Sequence, residues 1–249
     1  MSGGESALRI AFDMDGVLAD MHAALAIEAE RIFTAHEAST VRALEEALEQ
    51  EPPAPPPTAP PLQGLPQLTL TAQQSQLLWQ RVAGTHDFWE GLAETEPGVV
   101  ARLARTADER RWDVIFLTQR PPTLGSTVQK QTQAWLRRHG FDFPSVYTTR
   151  GSRGAIAAAL HLDVVVDDRF EGCVDVADES SARSILVWRL ADDQTLARAQ
   201  RMGITVVRSV GDCLELLEQM DRPRASSSGL MNRLRQLLGL KHTPGPPAR

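Results

Sequence analysis

The sequence predicts an α/β fold: a Rossmann-like parallel sheet with helices on both faces, carrying a small helical cap. Three observations predict it. Short unbroken runs of Val, Ile and Leu recur along the chain, as expected of strands buried on both faces. Helix-period segments alternate with those runs from Pro97 onward. A helical, proline-interrupted insertion separates the first apolar run from all the others.

The elements follow in order. Residues 8–12 read as a strand that ends abruptly in Asp13-Met14-Asp15-Gly16. A helical stretch spans about residues 20–50, with Leu25, Ile32, Phe33, Val41, Leu44 and Leu48 at helical spacing. Prolines 52, 53, 55, 56, 57, 60, 61 and 66 then exclude helix and central strand, because proline lacks an amide donor and fixes φ. That tract reads as a semi-rigid linker, with a docking site for a proline-recognising partner as the alternative. Residues 69–82 read as a helix with Thr71 as N-cap, followed by Phe88-Trp89. Beyond Pro97 come helix 97–107, strand 113–117, helix 126–139, a short strand at 146–147, helix 152–160 and strand 164–166. Strand 185–188, helix 192–202, strand 204–207 and helix 212–220 complete the alternation. Residues 222–229 read as a linker, and residues 230–240 as a short amphipathic helix docked on its own domain or frayed. The resulting division is a core of residues 1–20 and 97–221, a cap of 21–96 with a proline-rich insert around 51–66, and a tail of 222–249.

Composition narrows the function. The 249 residues are 42% hydrophobic and 23% charged, with net charge −6, which argues against binding a nucleic-acid polymer. Cys173 and Cys213 are isolated and read as reduced thiols. No apolar stretch is long enough to span a bilayer, so a cytoplasmic location is the expectation. The scattered histidines show no zinc spacing.

In an open parallel sheet, ligands bind where loops leave the carboxyl ends of strands. The polar residues at those ends are Asp13 and Asp15, then Thr118, then Asp167 and Asp168. Two carboxylates about 4 Å apart repel by roughly 4 kcal/mol at an effective dielectric near 20. Several gathered together require a counter-charge, and Mg2+ suits one or two carboxylates plus a substrate phosphate. In this reading Asp13 attacks phosphorus, and Asp15 protonates the leaving alcohol and later activates water. Gly16 permits the tight turn that brings backbone amides toward the phosphate. The expected substrate is a small phosphorylated molecule. Arg120, in the turn after Thr118, is within reach of it.

At these residues the chain resembles the haloacid dehalogenase superfamily of phosphohydrolases. Asp13-Met14-Asp15-Gly16-Val17, Leu117-Thr118 and Val164-Val165-Val166-Asp167-Asp168 are similar to its first, second and fourth motifs. Within it, Phe88-Trp89, Glu96-Pro97-Gly98 and Asp167-Asp168-Arg169 resemble the 5′(3′)-deoxyribonucleotidases, which implies a nucleoside monophosphate substrate. The resemblance implies that Asp13, the backbone carbonyl of Asp15, and Asp167 and Asp168 hold Mg2+, with Asp168 the preferred ligand of the pair. It also implies that Thr118 hydrogen-bonds the phosphate. Phe88 and Trp89 then either stack on a base or form ordinary cap core. The superfamily's motif lysine has no lysine counterpart here; Arg153 matches its position, with Arg150 second. Two rival readings remain: a hydrolase of the same fold acting on a non-nucleotide substrate, including carbon–halogen bonds, and a non-catalytic binding scaffold.

Overall fold

In the computed structural model, the described residues are 7–34, 70–190 and 192–221. The proline tract and the expected helix of residues 230–240 lie outside them. The chain divides into two units, Met1–Leu214 and Glu215–Arg249; the whole sheet belongs to the first.

Six parallel strands form that sheet: β1 (Arg9–Asp13), β2 (Asp113–Thr118), β3 (Ser145–Thr148), β4 (Val164–Asp167), β5 (Arg183–Val187) and β6 (Thr205–Val207). Their order is β3-β2-β1-β4-β5-β6. The chain lays β2 and β3 on one side of β1 and the later strands on the other, so its direction of winding reverses between β1 and β4. Such a reversal opens a crevice at the carboxyl edge.

The sequence explains the central position of β1 and β4. Ile10, Ala11, Phe12, Val164, Val165 and Val166 are all buried, and only strands covered on both faces tolerate such runs. Ala11, Val165 and Leu117 pack with Ala157, Leu162, Val176 and Ala182 in one apolar cluster. Phe170, Cys173, Leu186, Ala199 and Ile204 form another. Both cysteines are buried and free.

The helices are α1 (Met21–Thr34), α2 (Ala72–Ala83), α3 (Val99–Arg110), α4 (Val128–Arg138), α5 (Arg153–Ala159), α6 (Phe170–Glu179), α7 (Asp193–Arg201) and α8 (Val210–Met220). Thr71 caps α2 through a capping box, its hydroxyl accepting from the Gln74 amide while the Gln74 side chain accepts from the Thr71 amide. Helix α6 was not anticipated from the sequence: Gly172 and two valines give its ten residues weak helix propensity. Burial of Phe170, Cys173 and Val176 holds it instead.

Of the expected cap, the described parts are α1, α2 and a short 3-10 helix, Phe88–Gly91. The last of these, together with Leu92 just after it, is bonded to the sheet domain. The Trp89 indole donates to the Pro121 carbonyl (3.0 Å), the Trp89 amide donates to Gln131 Oε1 (3.1 Å), and the Trp135 indole donates to the Leu92 carbonyl (2.8 Å). Among the described residues, no helix is long and apolar enough to cross a membrane.

Candidate active site

Strand register builds the site. Phe12 pairs with Val166, and Asp13 with Leu117. Asp13, Thr118 and Asp167 therefore arrive side by side as the last residues of three adjacent strands.

On the β4 side, Asp13, Asp167 and Asp168 each present a carboxylate oxygen within 4.8 Å of the others. Arg153, the first residue of α5, reaches into this cluster. Its Nη2 donates to Asp13 Oδ1, and its Nε donates to Asp167 Oδ2 at 3.4 Å. Backbone amides supply the rest, with Asp15 N donating to Asp13 Oδ2 (3.0 Å) and Arg169 N to Asp167 Oδ1 (2.8 Å). Gly16 has φ +82° and lies so close to the Asp168 carboxylate that a Cβ would overlap it.

Burial dominates the electrostatics of this side. It raises the Asp13 carboxyl from 3.8 to about 8, opposed by Arg153 and reinforced by Asp167 and Asp15. The Asp168 carboxyl is pushed well above the usual carboxylate range by burial, then by Asp167 and Asp13. Burial opposes the charge on Arg153, but Asp13 and Asp167 outweigh it and hold the guanidinium protonated. When ionised, three carboxylates against one guanidinium leave two negative charges. Asp168 Oδ1 is buried without a hydrogen-bond partner. An all-oxygen donor set with that excess charge and an orphaned oxygen fits a hard divalent cation.

The β2 side is arranged differently. The Asp15 carboxylate lies outside the cluster of three and is gripped by Arg120, with Nε at 2.8 Å from Oδ1 and 3.0 Å from Oδ2, and Nη2 at 2.7 Å from Oδ1. Thr118 Oγ1 donates to Asp15 Oδ2 at 3.2 Å. Arg120 is itself anchored, its Nη1 donating to Thr132 Oγ1 on α4 (3.0 Å) and its guanidinium lying 5.1 Å from the Trp89 ring centroid.

The loop after β1 is held from a third direction. Arg189 donates to the carbonyls of Gly16 (2.5 Å) and Val17 (3.4 Å) and pairs with Glu96 (3.0 Å). Glu96 in turn accepts from the amides of Val210 and Gly211 at the start of α8.

The structure thus brings together Asp13, Asp15, Gly16, Thr118, Arg153, Asp167 and Asp168. Arg150 is exposed. Of the two readings of Trp89, base stacking and ordinary core, its position fits the second: it is fully enclosed, packed edge-on by Phe88 and flanked by Arg120. Phe88 is half-buried beside it. Sequence reasoning missed the role of Arg120 as a partner of Asp15 and missed Arg189 altogether; Glu96 was singled out only as part of a motif, without its role as the partner of Arg189. The signal for Arg120 was its place two residues beyond the strand-end Thr118.

No protein-family model matches the chain, and no curated protein is similar to it in sequence. Solved structures do match. A protein from Thermotoga maritima described as a β-phosphoglucomutase aligns with TM-score 0.50 and 19% identity, covering 85% of this chain and 99% of the other. A phosphonoacetaldehyde hydrolase-like protein from Oleispira antarctica aligns with TM-score 0.50 and 13% identity, covering 88% and 94%. A hydrolase of the haloacid dehalogenase family from Deinococcus radiodurans aligns at 0.49 and 16%, covering 86% and 96%. At such low identity the likeness is one of fold alone, the α/β architecture with a parallel sheet.

Proposed function

We propose that the chain is a magnesium-dependent phosphomonoesterase of the haloacid dehalogenase superfamily, working through an aspartyl-phosphate. One observation carries the reading: a strand-end aspartate, Asp13, is flanked by an arginine and two further carboxylates, while a second aspartate two residues on is held apart from them. This separation suits a nucleophile and a proton carrier with different tasks.

Asp13, Asp167, Asp168 and the Asp15 carbonyl would hold Mg2+, which when bound supplies positive charge beside the transferring phosphoryl group. Arg153, whose Nη1 is buried without a hydrogen-bond partner, would grip the phosphate, and Thr118 would join it by turning its one hydroxyl proton from Asp15 to the phosphate. An Asp13 oxygen attacks phosphorus as the bond to the ester oxygen breaks, and Asp15 gives its proton to that departing oxygen. Asp15 then takes a proton from a water that attacks phosphorus, which frees the Asp13 carboxylate and releases inorganic phosphate. A carbon–halogen hydrolase would not need an acid for an alkoxide, so the care taken to place Asp15 favours an ester. The resemblance to deoxyribonucleotidases makes nucleoside monophosphates the first substrates to try.

Phosphate release from p-nitrophenyl phosphate and a panel of nucleoside monophosphates, with Mg2+ and with chelator, tests the proposal. Release that requires Mg2+ is expected. Absence of release from every ester, or release indifferent to chelation, would overturn it.

A further inference from the structure

We propose that Arg120 is the positioning residue for Asp15, fixing the carboxylate that handles the leaving-group proton. The inference rests on the phosphatase reading above and adds a residue to it.

The geometry is that of a lock. A carboxylate offers about four acceptor directions. Arg120 contacts both oxygens of Asp15, and Thr118 adds a contact to Oδ2. The Arg120 side chain is 0% exposed, so this is no solvated surface pair; its Nε and Nη1 are hydrogen-bonded, and its buried Nη2 has only the charge contact with Asp15, so moving Asp15 away would leave the guanidinium uncompensated. Its anchors come from two directions, Thr132 on α4 and the Trp89 ring on the 3-10 helix. The Trp89 indole and amide are in turn fixed by Pro121 and Gln131. Every rotation open to Asp15 that leaves Arg120 behind strands a buried charge. Proton transfer in a transition state demands hydrogen-bond reach, and a misplacement of about 1 Å costs roughly 100-fold. Arg120 therefore acts on the reaction through Asp15.

The leaving group separates positioning from general structural damage. An alkyl phosphate needs a proton on its departing oxygen; a dinitrophenyl phosphate does not. With kcat/KM as the readout, which reports steps up to formation of the aspartyl-phosphate, Arg120→Met should lose about 100-fold on the alkyl ester. Its loss on dinitrophenyl phosphate should be at least about tenfold smaller. Dinitrophenol should also appear in a burst followed by slow turnover, because Asp15 must still activate water. Arg120→Lys, which keeps the charge but not the two-point grip, should fall between Met and wild type. Thr132→Val loosens one anchor with little change in shape and should show the same bias at about threefold to tenfold. Equal losses on both esters in Thr132→Val and Arg120→Lys, or no loss, would overturn the assignment while the phosphatase reading stood. A wild-type chain that hydrolysed neither ester would overturn both.

Discussion

The two halves of the site solve the same problem, buried carboxylates, in opposite ways. On the β2 side one carboxylate meets one guanidinium, and Asp15 and Arg120 close their charges on each other. On the β4 side three carboxylates cluster, Arg153 reaches two of them, and Asp168 keeps an unpartnered oxygen. A carboxylate held at both oxygens has fixed geometry, and it serves as an acid only after it takes up a proton. An open cluster is stable only with protons or a cation added. Under the proposed function the proton-handling group falls in the first half, and the cation and nucleophile in the second.

The sharpest way to break that division is to neutralise each half in turn. Asp13→Asn preserves shape but removes the attacking oxygen, and turnover should fall by at least ~1000-fold with the circular dichroism spectrum unchanged. A variant that kept its rate would place the nucleophile elsewhere. Next in size is the cation site. Asp168→Asn should raise the Mg2+ concentration for half-maximal activity by about 10- to 100-fold, whereas Arg120→Met should leave that concentration within about threefold. Equal sensitivity of both variants to Mg2+ would mean that the two halves act as one.

How much of this was legible follows from the same contrast. Asp13, Asp167 and Asp168 each end an unbroken apolar run, so local pattern alone placed them at one edge of the sheet. Arg153 was legible only through the resemblance, which expects a cation early in the helix before the fourth strand. The pairing of Asp15 with Arg120 was not, since it spans 105 residues and depends on the register of β1 against β2 and on the indole of Trp89. Helix α6 was hidden for a related reason, because its stability comes from the partners of Phe170, Cys173 and Val176 more than from its own residues. The reach of Arg189 to the Gly16 carbonyl, across 173 residues, left no local trace either.

Arg153 sharpens the comparison from the charge side. It touches two carboxylates through two different nitrogens, a grip that a single ammonium cannot copy. Arg153→Ala should cost roughly 100-fold in kcat/KM, the loss typical of one group stabilising transferring charge. Arg153→Lys should restore charge but only part of the geometry, leaving a deficit of about tenfold. Full activity in the lysine variant would show that charge alone matters on this side. No effect of alanine would leave the phosphate held by other residues.

The smallest expected effect is on stability, and its sign separates the two halves without any assay of turnover. In the metal-free protein the folded Asp13 carboxyl titrates at about 8, against 3.8 for the free group. Below the lower value both states are protonated and the contribution to stability is complete. As pH rises from there the unfolded chain gives up its proton while the folded chain keeps it, so folding is progressively disfavoured until pH passes about 8. Asp168 shifts in the same direction and adds to the trend. With chelator present, Tm should therefore fall by several degrees between about pH 5 and about pH 8. Mg2+ binds the deprotonated carboxylates, so it should raise Tm most at the alkaline end and flatten the dependence. Asp13→Asn removes one of the titrating groups and should shrink the chelator-dependent slope, whereas Thr132→Val, on the other side of the site, should lower Tm equally at both pH values. A slope that survived Asp13→Asn unchanged would place the excess of buried negative charge outside the β4 half.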